Sequence, residues 1–326
     1  MLAKIYGAVI SLRNYFYDEN LFQVHDLGAR TISVGNITTG GTGKTPLVAY
    51  IASHLAERGE KVCILTRGYG REDEGRRVLV SDGHHVLVDA AHGGDEPVEL
   101  ARKLLGKAIV IADADRVAAA EWASRKFGLT AFVLDDAFQH RKAKRDLDIV
   151  CIDATDPFGG DKLLPAGKLR ESQASLARAD ILVITRVEQA GDISDLRSQI
   201  SDLAPAAAVF ESRTVISRIG SLDGRNFDAS QPVFAFCGLG NPQSFFSLLE
   251  SSDWRLAGTR ALRDHHVYTQ GDIDEINGEA SKNGATVLVT TGKDAVKLVG
   301  LKFELPVHIA EIDIRLDRES DFAELI

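Results

Sequence analysis

A glycine-rich segment at residues 38–45 constrains the fold of this chain more than any other part of the sequence. It lies between an apolar, strand-like run at 31–34 and a helix-like run at 46–51. Its residues are Thr38, Thr39, Gly40, Gly41, Thr42, Gly43, Lys44 and Thr45. A strand that enters a glycine-rich turn and continues as a helix directs backbone N–H groups and a helix dipole at one point. The segment therefore predicts a loop that binds nucleotide phosphates.

Two side chains of this loop have the chemistry that a nucleoside triphosphate requires. We expect Lys44 to reach the β- and γ-phosphates and the Thr45 hydroxyl to hold a magnesium ion. Thr38 stands where the pattern G-x-x-x-x-G-K-[ST] has its leading glycine. The alternative is an ordinary glycine-rich turn, which leaves the Gly43-Lys44-Thr45 sequence between strand and helix unexplained.

Composition narrows the classes of protein that the loop can belong to. The length of 326 residues favours two domains, and 44% hydrophobic with 26% charged residues is ordinary for a soluble globular protein. A net charge of −9 argues against broad nucleic-acid binding. Cys63, Cys151 and Cys237 are far apart in sequence, so we expect buried thiols in a reducing compartment, the cytoplasm. No run reaches the roughly 20 apolar residues of a membrane span, and no obligate protein partner is evident.

A second signal is the acidic pair Asp135 and Asp136, which ends an apolar run at 130–134. A strand that ends in carboxylates is the arrangement by which nucleotide-binding proteins hold Mg²⁺. We favour this interpretation over a solvated turn because a phosphate-binding loop lies upstream. Gln139 stands where a D-x-x-G switch would need glycine, and the sequence lacks an N-K-x-D motif. Both observations speak against the alternative hypothesis, a GTP-binding assembly or maturation factor.

Strand-like and helix-like runs alternate along the chain, which predicts an α/β fold of P-loop NTPase type with a mainly parallel sheet flanked by helices. The pattern changes beyond Glu188, so we expect a nucleotide-binding domain at 1–190 and a smaller α/β domain at 191–326. Two short strands are predicted at 206–210 and 214–217. The sequence leaves open whether the final strand, at 307–314, returns to the first domain.

Several polar side chains near strand ends are candidate contacts to substrate or phosphate. The carboxyl ends of strands are where α/β sheets place ligands. The candidates are Arg67, Tyr69, Arg71, Gln139, His140, Lys168 and Arg170. For Arg67 and Arg71, and for Lys168 and Arg170, a solvated turn is the alternative.

Three further residues have plain structural explanations when the sequence is considered alone. Asp95 opens a predicted helix, and Pro97 fits the first helical turn, so local sequence favours an N-cap role for Asp95. His265 and His266 are consistent with a partly exposed pair in a loop.

The first 17 residues form a predicted amphipathic helix. Leu2, Ile5, Val9 and Leu12 fall on one broad apolar face. Aromatic and basic neighbours are typical of a helix that lies in a membrane surface, but packing of this face on the core fits the pattern equally well. Arg13 projects onto the apolar side, where it would have to extend to solvent or to an anionic headgroup.

Motifs at 39–46, 67–70, 94–97, 134–140 and 164–171 occur together in an order that resembles the tetraacyldisaccharide 4′-kinases, the lipid A 4′-kinases of Gram-negative bacteria. The resemblance covers nearly the whole chain. That family also has threonine-like residues at the first position of the loop, which accounts for Thr38.

The resemblance implies transfer of a phosphoryl group from ATP, with Mg²⁺, to the 4′-hydroxyl of tetraacyldisaccharide 1-phosphate, which gives lipid IV-A. It implies a peripheral enzyme at the cytoplasmic face of the inner membrane, anchored by the N-terminal helix. It assigns Asp95 as catalytic base and His265 as its partner, beside the nucleotide residue Lys44. A soluble small-molecule kinase, with the N-terminal helix folded on the core, is a further alternative.

Overall fold

Within residues 1–226, 228 and 230–326, which the computed structural model describes, twelve strands form one mixed sheet. The strands are β1 (Arg30–Gly35), β2 (Val62–Thr66), β3 (Val78–Ser81), β4 (Ala108–Ala112), β5 (Ala131–Asp135), β6 (Leu147–Asp153), β7 (Ile181–Thr185), β8 (Ala208–Ser221), β9 (Val233–Cys237), β10 (Leu256–Ala261), β11 (Val287–Thr291) and β12 (Val307–Leu316). Their order across the sheet is β10-β9-β11-β12-β8-β7-β6-β1-β5-β2-β4-β3.

Helices connect most of these strands and pack on the sheet. They are α1 (Leu2–Asp18), α2 (Lys44–Glu57), α3 (Ala90–Gly93), α4 (Asp95–Lys103), α5 (Arg116–Phe127), α6 (Ser194–Leu203), α7 (Pro242–Ser251), α8 (Gln270–Lys282), α9 (Gly292–Ala295) and α10 (Glu319–Leu325). Short 3-10 segments lie at Gln173–Arg178 and Val187–Gln189.

The predicted mainly parallel sheet flanked by helices is confirmed. Only β3 against β4 and β12 against β8 pair antiparallel among the described strands. Alternate residues of β2 enter different cores, since Ile64 packs with α2 and α4 whereas Cys63 and Leu65 pack with α5. Every residue of β2, β5 and β7 is buried, because a parallel sheet with helices on both faces is shielded from water on both faces.

The sheet order brings the candidate motifs to one edge. β1 pairs in parallel with β5, and β5 pairs in parallel with β2. The carboxyl ends of these three neighbours carry the glycine-rich segment, the acidic pair and the turn that begins at Arg67. Parallel strands end on the same side, so residues distant in sequence meet there.

The prediction of two short strands at 206–210 and 214–217 is wrong, because β8 is continuous over 14 residues. Its first part pairs with β7 and its later part with β12. Polar residues within β8 do not interrupt the strand, since its backbone hydrogen bonds are supplied by these two partners.

The end of the chain joins both parts of the sheet. β12 lies between β11 and β8, and α10 places Phe322 against the rings of Tyr50 on α2 and Phe210 on β8. The division of the chain near residue 190 stays a prediction; residues 1–190 are called the first half below and 191–326 the second half.

Helix α1 directs its apolar residues away from the protein. Five of them are more than half exposed, namely Leu2, Ile5, Val9, Leu12 and Tyr15. The opposite side is held by polar contacts, which include Tyr6 Oη to the carbonyl of Arg170 at 2.9 Å and Arg13 to the carbonyl of Gln139 at 2.7 Å. Arg13 therefore faces the protein rather than the apolar side. No helix in the described part of the chain is long and apolar enough to cross a membrane.

Candidate active site

The glycine-rich segment connects β1 to α2 in the predicted order of strand, loop and helix. Gly40 and Gly43 have φ angles of +110° and +75°, a region that glycine enters without steric cost. Gly43 is the N-cap of α2, so backbone N–H groups of the first helical turn remain for a ligand. The Thr185 hydroxyl donates to the carbonyl of Thr42 at 3.0 Å and ties the loop to the end of β7.

The loop borders a cleft of about 290 Å³ that lies between the two halves of the chain. The first half contributes, among others, residues 40–46, Thr66, Arg67, Tyr69, Asp135, Asp136 and Arg170. The second half contributes, among others, Asn241, Phe245, Asp264, His265 and Lys293.

Asp136 faces two cations of the cleft. Lys44 Nζ lies 3.4 Å from Asp136 Oδ1, and the Arg170 guanidinium donates to both carboxylate oxygens at 2.9 and 2.8 Å. Burial opposes ionisation of this carboxylate, but Lys44 and Arg170 outweigh burial and lower the pKa of Asp136 to about 2. Asp136 is therefore a fixed negative charge beside the loop.

Asp135 has the opposite environment although it is the adjacent residue. The Thr66 hydroxyl donates to Asp135 Oδ2 at 3.0 Å. Burial, with the neighbouring charges of Glu96 and Asp136, raises the pKa of Asp135 to about 6. A divalent cation at this position would favour the ionised form.

The donor set of the cleft fits Mg²⁺ bound together with a nucleotide. Among the described residues, no group of three His, Cys, Asp or Glu side chains is arranged to hold a metal ion. Mg²⁺ usually binds through one or two carboxylates, phosphate oxygens and water. Asp135, Asp136 and Thr45 line the cleft next to the glycine-rich loop and supply carboxylate and hydroxyl oxygens of this kind.

Asp95 and His265 meet although they are 170 residues apart in sequence. His265 Nδ1 lies 3.0 and 2.9 Å from the two oxygens of Asp95, whose side chain is 5% exposed. The N-cap of α4 is Gly94, with φ +90°, and Asp95 is the first residue of the helix, where its carboxylate accepts the N–H of Glu96 at 3.0 Å. The N-cap role favoured by local sequence is therefore wrong, because Gly94 holds that position and the Asp95 carboxylate also faces His265.

Asp95 and His265 each favour the charged form of the other. Burial acts to raise the pKa of Asp95, but the hydrogen bond with His265 and the charges of Lys293 and Lys297 outweigh it, and the pKa is lowered. The hydrogen bond with Asp95 is the main cause that raises the pKa of His265. Asp95 is thus an ionised carboxylate in a largely water-free position.

Arg67 and Tyr69 line the cleft, whereas Arg71 does not belong to its lining in the described structure. Arg67 donates to the Tyr69 hydroxyl at 2.9 Å, and both side chains remain exposed. Arg71 is 4% exposed and donates to the carbonyls of Ala112 and Glu74. Arg71 therefore stabilises the turn rather than reaching a ligand.

Other predicted residues support the loop from outside the cleft. Thr38 pairs with the backbone of Leu169, and the Thr39 N–H donates to the Lys168 carbonyl at 2.8 Å. The Lys168 side chain forms an exposed ion pair with Asp156 at 2.7 Å.

Gln139 and His140 also lie behind the loop. Gln139 Nε2 donates to the carbonyl of Asn36 at 2.9 Å. Burial, assisted by the charges of Arg116 and Arg145, lowers the pKa of His140 to about 4. A neutral histidine in this position is a packing residue and not a charged phosphate ligand.

Sequence reasoning missed five polar residues around the carboxylates, namely Thr66, Glu96, Asp264, Lys293 and Lys297. Their contacts are formed between segments distant in sequence, so no local spacing indicated them. Lys293 lies on the short helix α9 directly after β11, and the apolar run of this strand gives no indication of the contacts of the lysine side chain.

A family described as Tetraacyldisaccharide-1-P 4′-kinase matches residues 1–326. Two relatives named Tetraacyldisaccharide 4′-kinase cover all of this chain. The relative from Halothermothrix orenii is 37% identical over 349 residues, with 90% of its own length covered. The relative from Desulfotalea psychrophila is 38% identical over 338 residues, with 94% covered.

A solved structure shares the fold. The LpxK of Aquifex aeolicus, described as an "apo" form in complex with ATP, superposes with a TM-score of 0.80 and is 31% identical in sequence. The match covers 99% of this chain and 96% of that chain.

Proposed function

Because the chain belongs to the tetraacyldisaccharide-1-P 4′-kinase family, we propose how its cleft performs the reaction of that family. The protein is an ATP-dependent kinase that phosphorylates the 4′-hydroxyl of tetraacyldisaccharide 1-phosphate to give lipid IV-A, in lipid A biosynthesis. The observation that carries the mechanism is the contact of Asp95 with His265, a residue that lines the same cleft as the phosphate-binding loop. The GTP-binding alternative is set aside, since the family match spans the whole chain.

The loop at residues 40–45 is the proposed site of the ATP phosphates. Its glycines let backbone N–H groups approach the phosphate oxygens, and Lys44 neutralises charge on the β- and γ-phosphates. Asp135, Asp136 and Thr45 would hold Mg²⁺, which when bound neutralises phosphate charge during transfer. The contact of 3.4 Å between Lys44 Nζ and Asp136 Oδ1 holds the Lys44 ammonium beside the loop before ATP binds.

Asp95 is the proposed proton acceptor for the sugar hydroxyl. As the 4′-oxygen bonds to the γ-phosphorus, the bond from that phosphorus to the β,γ-bridging oxygen breaks and ADP leaves. The hydroxyl proton passes to the Asp95 carboxylate. Asp95 is suited to this step because it is ionised and shielded from water.

His265 holds Asp95 in position from the second half of the chain. Its backbone has φ +55°, a conformation that costs free energy for a non-glycine residue and is commonly retained at functional sites. The ring then meets both oxygens of Asp95. Arg67, Tyr69 and Arg170 are proposed contacts to phosphate groups, since all three line the cleft.

Closure of the second half over the loop is a further proposal, because residues from beyond position 190 complete the cleft. A non-hydrolysable ATP analogue should reduce the radius of gyration measured by small-angle scattering. An unchanged radius at saturating analogue would contradict closure.

The exposed apolar face of α1 is the proposed attachment to the cytoplasmic face of the inner membrane. A cluster of outward aliphatic side chains on one helix is favoured at the boundary of headgroups and acyl chains. Replacement of Ile5, Val9 and Leu12 by serine should weaken binding to phospholipid vesicles about a hundredfold, from about 1 kcal/mol for each partly exposed side chain. Unchanged cosedimentation with vesicles would exclude this role.

The decisive assay follows transfer of labelled γ-phosphate from ATP to tetraacyldisaccharide 1-phosphate in detergent micelles. We expect transfer by the native protein and a loss of about 10²- to 10⁴-fold in the Asp95→Asn variant, with ATP binding retained. Glu121→Gln, which alters an exposed carboxylate on α5, is the matched control. Full activity of Asp95→Asn would remove Asp95 from the chemistry.

A further inference from the structure

Lys293 places an ammonium group between the two halves, beside Asp95 and His265. The residue lies on α9 and is 8% exposed. Its Nζ is 3.1 Å from Glu96 Oε1 and 3.0 Å from Asp264 Oδ1. Its third neighbour is His265 Nε2 at 3.4 Å. An ammonium has three donors, and each has an acceptor here.

The contact with His265 determines which ring nitrogen carries the proton. A lysine ammonium only donates, so Nε2 must accept, and a nitrogen that accepts holds no proton. Asp264, the carboxylate on the same side of the ring, lies 3.8 Å from Nε2, which is too long for a hydrogen bond. The single proton of the neutral imidazole is therefore on Nδ1, which faces Asp95.

We propose that Lys293 is a positioning residue that selects the Nδ1–H tautomer of His265 and thereby keeps Asp95 hydrogen-bonded and ionised. In the other tautomer, the lone pair of Nδ1 would face the Asp95 carboxylate, and Asp95 would lose its donor. The inference rests on the proposed role of Asp95 as proton acceptor, because only that role makes the charge of Asp95 matter for turnover.

Lys297 provides a natural comparison within the same cluster. Its Nζ lies 3.4 Å from Asp95 Oδ2 and 3.0 Å from Asp294 Oδ1, so both of these contacts are to carboxylates. The charged groups around His265 are Asp95, Asp264 and Lys293, while Lys297 faces Asp95. Replacement of Lys297 should therefore affect the ionisation of Asp95 but leave the tautomer of His265 unchanged.

The test is a two-bond ¹⁵N–¹H correlation spectrum of the full chain labelled in histidine, recorded through an upward pH titration in which the ¹⁵N shifts identify the neutral ring. The His265→Gln variant assigns the resonance. We expect the Nδ1–H tautomer in the native protein and in Lys297→Met, and a mixture or the Nε2–H tautomer in Lys293→Met. An Nε2–H tautomer in the native protein, or an unchanged tautomer in Lys293→Met, would overturn the proposal.

Kinetics give the second measurement. Lys293→Met should lower kcat about tenfold to a hundredfold, with the KM for ATP changed by less than about twofold, since the lost contact acts on the proton acceptor and not on the nucleotide. Lys302→Met, an exposed lysine in the second half, should behave as the native protein. A rise in the KM for ATP as large as the fall in kcat would contradict the assignment. Full activity of Asp95→Asn would defeat the proposed role of Asp95 as proton acceptor while leaving the tautomer result intact.

Discussion

The cleft has two sides that are built in different ways. The loop side, with Lys44, Thr66, Asp135 and Asp136, comes from neighbouring strands of the first half. The histidine side joins Asp95 to His265 and Lys293, which come from the second half. The loop side is held by the parallel sheet, whereas the histidine side depends on how two parts of the chain meet.

The pKa values of the buried carboxylates have different causes on the two sides. On the loop side, burial and like charge raise the pKa of Asp135, while cations lower that of Asp136. On the histidine side, the hydrogen bond with His265 and the charges of Lys293 and Lys297, all from the second half, overcome burial and lower the pKa of Asp95. Binding of the nucleotide should therefore be separable from the chemical step.

The largest effect is expected on the histidine side. His265→Gln should lower kcat by about 10²- to 10³-fold, because Asp95 loses the group that orients it, while the dissociation constant for ATP stays within about twofold. Steady-state kinetics and equilibrium ATP binding measure the two effects. His84→Gln, at an exposed position, is the control. A parallel loss of ATP affinity would show that the two sides are coupled.

On the loop side, Lys44→Met should weaken ATP binding about tenfold to a hundredfold, as expected for loss of a charge-assisted hydrogen bond to phosphate. Isothermal titration with a non-hydrolysable ATP analogue measures the change, and Lys282→Met on α8 serves as control. Undiminished affinity would remove Lys44 from the phosphate site.

A smaller effect is expected at the support of the acidic pair. Thr66→Val removes the hydroxyl that donates to Asp135 and should lower kcat/KM for MgATP by about tenfold. The tautomer of His265 should not change, since Thr66 belongs to the loop side. Thr259→Val, on the exposed face of β10, controls for the substitution itself. A changed tautomer would break the separation of the two sides.

The smallest effect concerns stability against pH. The pKa of His265 is raised in the folded protein, chiefly by its hydrogen bond with Asp95. Such a group stabilises the fold fully below its unfolded pKa of about 6.5 and loses this contribution as pH rises through the folded value. The Tm difference between native protein and His265→Gln should thus be larger at pH 6 than at pH 9. We expect the corresponding change in the free energy of unfolding to be less than about 1 kcal/mol, because the ring is partly exposed. A larger Tm difference at pH 9 than at pH 6 would contradict a raised pKa of His265 in the folded protein.

Local pattern was sufficient for much of the fold. The apolar run of β5 was recognisable because both of its faces are buried. The length of β8 was not recognisable, since its polar residues are tolerated only where β12 pairs alongside. The direction of the apolar face of α1 also depended on tertiary contacts, because Tyr6 and Arg13 bind the protein on the opposite side.

The sequence by itself determined the phosphate-binding loop, the acidic pair and the parallel sheet that brings them together. Each of these arises from residues close in sequence, whose periodicity and conformational preferences act locally. Only the tertiary structure decided that Asp95 turns from its helix to His265, and that Lys293 donates to the other nitrogen of the ring. The first contact joins residues 170 apart and the second joins residues 28 apart. Both form because buried charges are stable only where opposite charges and hydrogen-bond partners replace water.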